Sequence, residues 1–176
     1  MDVAELLARE EIRDVLLRYC RGVDRGDLDL LRSAYHPDGT DDHGVFSGNA
    51  HEFAEWILSR PGRGDLVTQH HLTNVSVEVD GDEARAETYF VAVHRRPGPP
   101  VSIGQFGGRY VDRLARRGGQ WRIAERAVVH DWSLQETVGP EWGGLDAFAR
   151  GGQAPDDPGH RLLASSRTSP RPDLFA

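Results

Sequence analysis

The chain has 176 residues, 38% of them hydrophobic, which suits one domain with a sizeable core. A formal net charge of −7 excludes a typical nucleic-acid-binding protein, because such proteins present a basic surface. The single cysteine, Cys20, excludes an internal disulfide, and no apolar run approaches the roughly 20 residues that span a membrane. We therefore expect a soluble, cytoplasmic protein with no nucleic-acid or membrane partner.

Helical periodicity dominates the start of the chain. Apolar residues from Val3 to Tyr19 recur at helical spacing, and Gly22 is the predicted end of this first helix. Asp27 is the predicted N-cap of a second helix over residues 28–34.

A turn, a strand and a third helix follow. The segment Pro37-Asp38-Gly39 is predicted to break the second helix, and residues 40–46 to form a short strand. Asn49 is the predicted N-cap of a third helix, which carries Phe53 and Trp56.

The next part of the chain is predicted to be sheet. Four β-patterned segments form two pairs, each joined by a glycine-containing turn. The segments are residues 67–79, 83–95, 101–115 and 120–131. Helices first and antiparallel strands later predict an α+β fold for residues 1–138. Residues 139–176 lose this periodicity and form a predicted tail of loops, with one short helix near 145–149. This tail is either disordered or covers the pocket or a neighbouring subunit.

Asp24 and His70 are the leading candidates for chemistry. An imidazole held by a carboxylate is a ready general base near neutral pH, because the carboxylate fixes the ring tautomer and stabilises the imidazolium. His70 and His71 are neighbours in a strand and therefore point to opposite faces of the sheet. We favour His70, with His71 as the alternative.

His94 on the next strand is a third candidate, and the hairpin turn decides its face. A two-residue turn at Asp80-Gly81 predicts that His94 shares the face of His71. A three-residue loop at residues 80–82 predicts that it shares the face of His70, and a bulge restores either arrangement.

The order of these elements and motifs resembles that of a known family. The motifs are Ile12-Arg13-Asp14-Val15-Leu16-Leu17-Arg18-Tyr19, Gly22-Val23-Asp24-Arg25-Gly26-Asp27, Thr68-Gln69-His70, Gly108-Arg109-Tyr110 and Gly119-Gln120-Trp121-Arg122-Ile123. They resemble the SnoaL-like branch of the nuclear transport factor 2-like superfamily, which is related to scytalone dehydratase, lindane dehydrochlorinase and bile-acid 7α-dehydratase. The resemblance implies a cone-shaped α+β barrel, with N-terminal helices packed in a curved, mostly antiparallel sheet.

The resemblance also implies roles for individual residues. It pairs Asp24 with His70 and adds Tyr19 and His94 as catalytic residues. His43 takes the place of a pocket tyrosine of scytalone dehydratase, and Arg126 corresponds to an arginine in the last strand of bile-acid dehydratase. Positions near Gly107 and Gly108 lack the serine and asparagine that bind scytalone, so scytalone itself is not the expected substrate. Relatives imply a homodimer or homotrimer.

Several aromatic side chains are candidates to line a hydrophobic cavity around a ring-bearing substrate. They are Phe46, Phe53, Trp56, Phe90 and Trp132, of which Phe53, Trp56 and Phe90 join His43 and Arg126 as the predicted substrate-binding set. The remaining histidines show no metal-ligand spacing, so we expect neither a metal nor a cofactor. The predicted function is a cofactor-independent lyase of the dehydratase type. An isomerase, a polyketide-type cyclase and a non-catalytic ligand-binding protein are the alternatives.

Overall fold

The computed structural model describes residues 2–139 and 143–160. Its first element is the helix α1, Val3–Arg25. The Asp2 side chain caps α1 by accepting a hydrogen bond from a backbone N–H of the first turn. The helix ends at Gly26, whose φ of 64° is left-handed and suits glycine.

The prediction that Gly22 ends this helix is wrong. Gly22 lies inside α1, where the short helix α2, Leu28–Ser33, packs against it. A Cβ atom on Gly22 would stand 2.6 Å from the backbone nitrogen of Leu31, so the glycine permits the close approach of the two helices. The additional turn of α1 carries Asp24.

Two short strands and a helix follow. They are β1, β2 and α3, with bounds Tyr35–Asp42, Ser47–Asn49 and Ala50–Leu58. Asp27 caps α2 and Asn49 caps α3, which confirms both predicted caps. The predicted strand at residues 40–46 begins earlier than expected, because an irregularity after Tyr35 takes the Pro-Asp-Gly segment into β1.

Four long strands form the two predicted hairpins. They are β3, β4, β5 and β6, with bounds Val67–Asp80, Glu83–Arg96, Ser102–Arg117 and Gln120–Thr137. The strand order in the sheet is β2-β1-β6-β5-β4-β3, and only β1 and β6 run parallel. The sheet curves around the helices and stays open, with β2 and β3 at its edges. The predicted α+β fold is confirmed.

The core lies between α1 and the inner face of the sheet. From α1, the side chains of Ile12, Leu16 and Tyr19 are fully buried, and Phe53 of α3 joins them. The inner positions of β4 alternate along the strand and are mostly small. Each large apolar side chain buried here contributes about 1.5–3 kcal/mol to folding.

Residues 151–160 dock on the C-terminal end of α1. The backbone N–H of Ala154 donates to the Arg25 carbonyl at 2.6 Å, and the Gln153 side chain donates to the Arg63 carbonyl at 3.1 Å. A short 3-10 helix, Leu145–Ala147, lies where a helix was predicted. Residues 140–142 and 161–176 of the predicted tail lie outside the described residues. Within the described segments, no helix is long and apolar enough to cross a membrane.

Candidate active site

The last turn of α1 presents Asp24 to the first long strand. Asp24 is 9% exposed. The turn is braced by the buried Arg63, whose guanidinium donates to the carbonyl of Val23 and, at 3.3 Å, to that of Leu66. The helix end and the loop before β3 are therefore fixed relative to each other.

Asp24 holds His70 by two hydrogen bonds. One carboxylate oxygen lies 2.6 Å from His70 Nδ1, and the other accepts the His70 backbone N–H at 2.9 Å. Burial raises the pKa of Asp24, but the hydrogen bonds from the His70 side chain and backbone oppose burial, and the pKa lies below its usual value. An ionised Asp24 accepts the Nδ1 proton, which leaves the Nε2 lone pair of the neutral ring free to act as a base.

A bulge in β3 decides which histidine faces the helices. The pairing of β3 with β4 shifts by one residue between Leu72 and Val75. On the N-terminal side of the bulge, His70 faces inward and His71 is exposed. On its C-terminal side, the inward-facing residues are Val75, Val77 and Val79. His70 therefore shares the inner face with the valines, although simple alternation assigned that face to His71.

The same bulge places His94. Asp80 pairs with Glu83, so the turn has two residues, and without the bulge His94 would share the face of His71. The shift pairs His94 with Thr68 instead, which brings its ring centroid 6.0 Å from that of His70. Burial and the nearby positive charges lower the pKa of His94 to about 4, so its ring is neutral at neutral pH.

Tyr19 lies deeper than His70 and meets His43 rather than the first pair. Tyr19 is 1% exposed, and its hydroxyl lies 3.3 Å from His43 Nε2. His43 Nδ1 forms a short hydrogen bond to Asp41, which also accepts the Tyr35 hydroxyl at 2.5 Å. Burial raises the pKa of Tyr19 well above its usual value, so the hydroxyl keeps its proton.

Arg126, a predicted substrate-binding residue, lies beneath these groups and has no exposed surface. Its guanidinium forms two hydrogen bonds of 2.7 Å to Asp112, which is equally buried. The rings of Tyr19 and Tyr110 flank it, with centroids 4.2 and 4.1 Å from the guanidinium carbon. We call the set Tyr19, Tyr35, Tyr110, Asp112 and Arg126 the buried polar layer.

The three predicted aromatic residues lie on two sides of the interior. Phe53 has no exposed surface and stacks on the His43 ring at 4.3 Å, and Trp56 lies 6.1 Å from Phe53. Phe90 stacks on Tyr110 at 4.3 Å. These three aromatic side chains therefore lie beside His43 and the buried polar layer.

Sequence reasoning missed three polar residues in this region. The spacing of Asp41 and His43 was a usable signal, because residues two apart in an extended chain lie on one face. Asp112 becomes recognisable only when the β5–β6 register is known, since that register places it opposite Arg126. Arg63 lies in a glycine-rich loop where no pattern marks it.

A depression of about 540 Å³ lies away from Asp24 and His70, among outward-facing charged residues of the sheet that include Glu78, Arg85 and Arg113. Arg113 is paired there with two glutamates. These charges neutralise one another across the strands, as on an ordinary solvated sheet face. Among residues 2–139 and 143–160, no group of three or more His, Cys, Asp or Glu side chains is arranged to hold a metal ion.

The family model of the SnoaL-like domain matches residues 4–127. This chain belongs to the SnoaL-like family. The uncharacterized protein Rv2910c of Mycobacterium tuberculosis is 30% identical over 129 residues, which cover 72% of this chain and 87% of that protein.

Solved structures share the fold of this SnoaL-like protein. A scytalone dehydratase-like protein of Novosphingobium aromaticivorans aligns with a TM-score of 0.67 at 22% identity, over 79% of this chain and 94% of that one. The hexachlorocyclohexane dehydrochlorinase LinA-type3 of Novosphingobium barchaimii also gives 0.67, at 18% identity, over 80% and 100% of the respective chains. At these identities the likeness shows the fold alone.

Proposed function

We propose that this SnoaL-like protein is a cofactor-independent lyase of the dehydratase type, acting on a small, hydrophobic, cyclic substrate. The observation that carries the proposal is the double hydrogen bond between Asp24 and His70. The ring is held from the side chain and the strand backbone together, so its free nitrogen has a fixed direction. Fixed direction is what a general base needs to remove a proton from carbon.

His70 is the proposed base. Its Nε2 takes the proton from a carbon next to a carbonyl group, and the C–H electron pair forms the new double bond as the leaving group departs. Asp24 then stabilises the imidazolium that has formed. A base positioned in this way contributes about 10²–10⁴-fold to the rate.

His94 is proposed to bind the substrate oxygen. Because the pKa of His94 is lowered to about 4, its ring is neutral at neutral pH and does not repel the imidazolium that forms on His70. A neutral ring offers one N–H donor, which suits a carbonyl oxygen that gains charge as the proton leaves.

The comparisons support elimination chemistry as the class of reaction. The names of the two structural relatives, a dehydratase and a dehydrochlorinase, describe removal of water and of hydrogen chloride from those proteins' substrates. An elimination of either kind removes a carbon-bound proton together with the leaving group. A homodimer or homotrimer in the cytoplasm is part of the same proposal.

The test is a screen of cyclic β-hydroxy ketones with product detection by mass spectrometry in deuterated and ordinary water. We expect loss of the mass of one water molecule, and we expect Asp24→Asn and His70→Gln to abolish it. His71→Gln, an exposed neighbour on the same strand, is the matched control and is expected to keep full activity.

Two other results would contradict the lyase assignment. Deuterium uptake without loss of water would identify an isomerase or cyclase that uses the same base. Tight binding of the ketones without any conversion, unchanged in the Asp24 and His70 variants, would identify a ligand-binding protein.

A further inference from the structure

A second carboxylate–imidazole pair, Asp41 and His43, lies at the end of β1. Asp41 is 1% exposed, and its two oxygens accept hydrogen bonds from His43 Nδ1 and from the Tyr35 hydroxyl. The His43 ring is thereby oriented with Nε2 directed away from Asp41, as in the pair formed by His70 with Asp24. The mechanism proposed above gives this second pair no task.

The His43 ring is partly exposed to solvent, although the groups around it are buried. Its side chain keeps 22% exposure, whereas Tyr19 behind it keeps 1%. The distance of 3.3 Å from His43 Nε2 to the Tyr19 hydroxyl is long for an N···O hydrogen bond, so that contact is weak. A ligand oxygen is therefore able to replace the Tyr19 hydroxyl as the partner of Nε2.

Both pairs are attached to the same helix. Asp24 binds His70 and Tyr19 contacts His43, and the two attachment points are five positions apart on α1. Five residues correspond to about 7.5 Å along a helix axis. This spacing is comparable with the length of a one- or two-ring molecule.

Two carboxylates act on the His43 ring. Among the described residues, the buried Asp41 carboxylate forms an ion pair with His43 and with no other cation. Asp112 adds a second carboxylate whose charge is felt at His43, although it is itself paired with Arg126. The neighbouring Tyr19 hydroxyl is uncharged. A carboxylate hydrogen-bonded to the ring orients it and stabilises an imidazolium, which is the form that a general acid requires.

The charge around His70 is different. Asp24 lies within the field of the buried Arg63 as well as beside His70. Arg63 and Arg96 also act on the adjacent His94. The charged neighbours of the two pairs therefore differ, because arginines act beside Asp24 and His94 whereas a second carboxylate acts on His43.

We propose that His43 is the general acid of the reaction, an inference that rests on the proposed lyase function. As His70 takes the proton from carbon, the C–O bond breaks and the departing oxygen accepts the Nε2 proton of His43, so that it leaves as water. His70 ends protonated and His43 neutral. One proton lost by His70 to solvent and one gained by His43 restore both groups.

The ring opening of benzisoxazoles tests the two histidines separately. A base removes the C–H proton, the N–O bond breaks, and the ring opens to a single cyanophenolate product. This product absorbs light, so its formation is easily followed. In 5-nitrobenzisoxazole the departing phenolate is a weak base and needs no proton donor. In unsubstituted benzisoxazole the phenolate is more basic and benefits from one.

The expected result is a selective effect of His43→Gln. This variant loses about tenfold or more on benzisoxazole but less than about threefold on 5-nitrobenzisoxazole, whereas His70→Gln loses similar factors on both. Asp41→Asn, which keeps the imidazole, is expected to resemble His43→Gln, and His71→Gln to resemble the unchanged protein. The ratio of the two rates in one sample does not depend on the fraction of folded protein, so partial unfolding of a variant cannot imitate the result.

Equal losses on the two benzisoxazoles, or no loss on either, in His43→Gln would overturn the acid role and leave the base intact. Unchanged rates on both compounds in His70→Gln would overturn the proposed lyase function instead.

Discussion

The Asp24–His70 pair and the Asp112–Arg126 pair differ in access and therefore in use. Asp24 and His70 each keep 10% side-chain exposure at the junction of α1 and β3, whereas Asp112 and Arg126 keep none. Both pairs have hydrogen bonds of 2.6–2.7 Å, so bond length does not distinguish them. The difference is that the first contains a titratable base with a free nitrogen and the second a guanidinium that stays charged.

A buried charge in this fold is therefore not by itself a sign of catalysis. The Arg126 guanidinium lies between two tyrosine rings, and its side chain and that of Asp112 have no exposed surface. We expect changes in the Asp24–His70 pair to affect turnover and changes in the buried polar layer to affect stability.

The largest expected effect is on turnover at the accessible pair. Asp24→Asn lowers the rate of 5-nitrobenzisoxazole ring opening by about 10²–10⁴-fold, because the amide no longer fixes the tautomer of His70 or stabilises its imidazolium. Absorbance of the phenolate product measures the rate. A rate within threefold of that of the unchanged protein, with folding intact, would show that Asp24 does not support His70 as a catalytic base.

The largest expected effect on stability is at the sealed pair. Asp112→Asn leaves the Arg126 guanidinium buried without its counter-charge and lowers the free energy of unfolding by about 3–5 kcal/mol. Urea titration measures the change. Asp38→Asn, which breaks an exposed ion pair with Arg117, is the matched control and is expected to leave the free energy of unfolding nearly unchanged. Similar losses of unfolding free energy in the two variants would show that the buried pair contributes no more to stability than the exposed pair.

A smaller effect is expected in the pH dependence of stability. The pKa of His94 is about 4 in the folded protein and about 6.5 when unfolded, so the unfolded state binds more protons between these values and stability falls as pH drops. His94→Gln removes this contribution and reduces the loss of unfolding free energy between pH 7 and pH 5 by roughly 1–2 kcal/mol.

Urea titrations at the two pH values measure the effect of His94→Gln. His71→Gln serves as the control, since His71 is exposed and its loss is expected to leave the pH dependence as it is. An unchanged pH dependence in His94→Gln would contradict the burial of a neutral ring beside His70.

The smallest expected effect concerns the docked segment at residues 151–160. Gln153→Ala removes the hydrogen bond to the Arg63 carbonyl and lowers the free energy of unfolding by about 0.5–1.5 kcal/mol. Gln69→Ala, at an exposed position of β3, is the control. If urea titration shows the same loss of unfolding free energy in the two variants, the segment does not stabilise the helix end that carries Asp24.

Local signals predicted most of the fold. The caps Asp27 and Asn49 and the glycine turns between strands follow from short-range chemistry, and the structure contains them. Gly22 was misread because a helix-ending glycine and a glycine at a helix crossing look alike in sequence. Only the contact with Leu31, which depends on tertiary packing, distinguishes them.

The candidate site was predictable in its residue types and less so in its geometry. The combination of Asp24 and His70 was visible in the sequence, but the face of β3 that meets the helix depends on a bulge after Leu72. Alternation counted from Val75 back to His70 gives the wrong face, since one additional residue reverses every side chain. The burial of Arg126 was equally hidden, because a charged residue at an inner strand position shows its partner only when the register is known.

The most direct test of the account is the protonation state of His70, read by nitrogen NMR of the histidine rings in the intact protein at neutral pH. We predict that the neutral form of the ring carries its proton on Nδ1, and that this tautomer loses population in Asp24→Asn. A ring protonated on Nε2 instead, or ring signals that do not respond to Asp24→Asn, would contradict the claim that Asp24 holds His70 as a base.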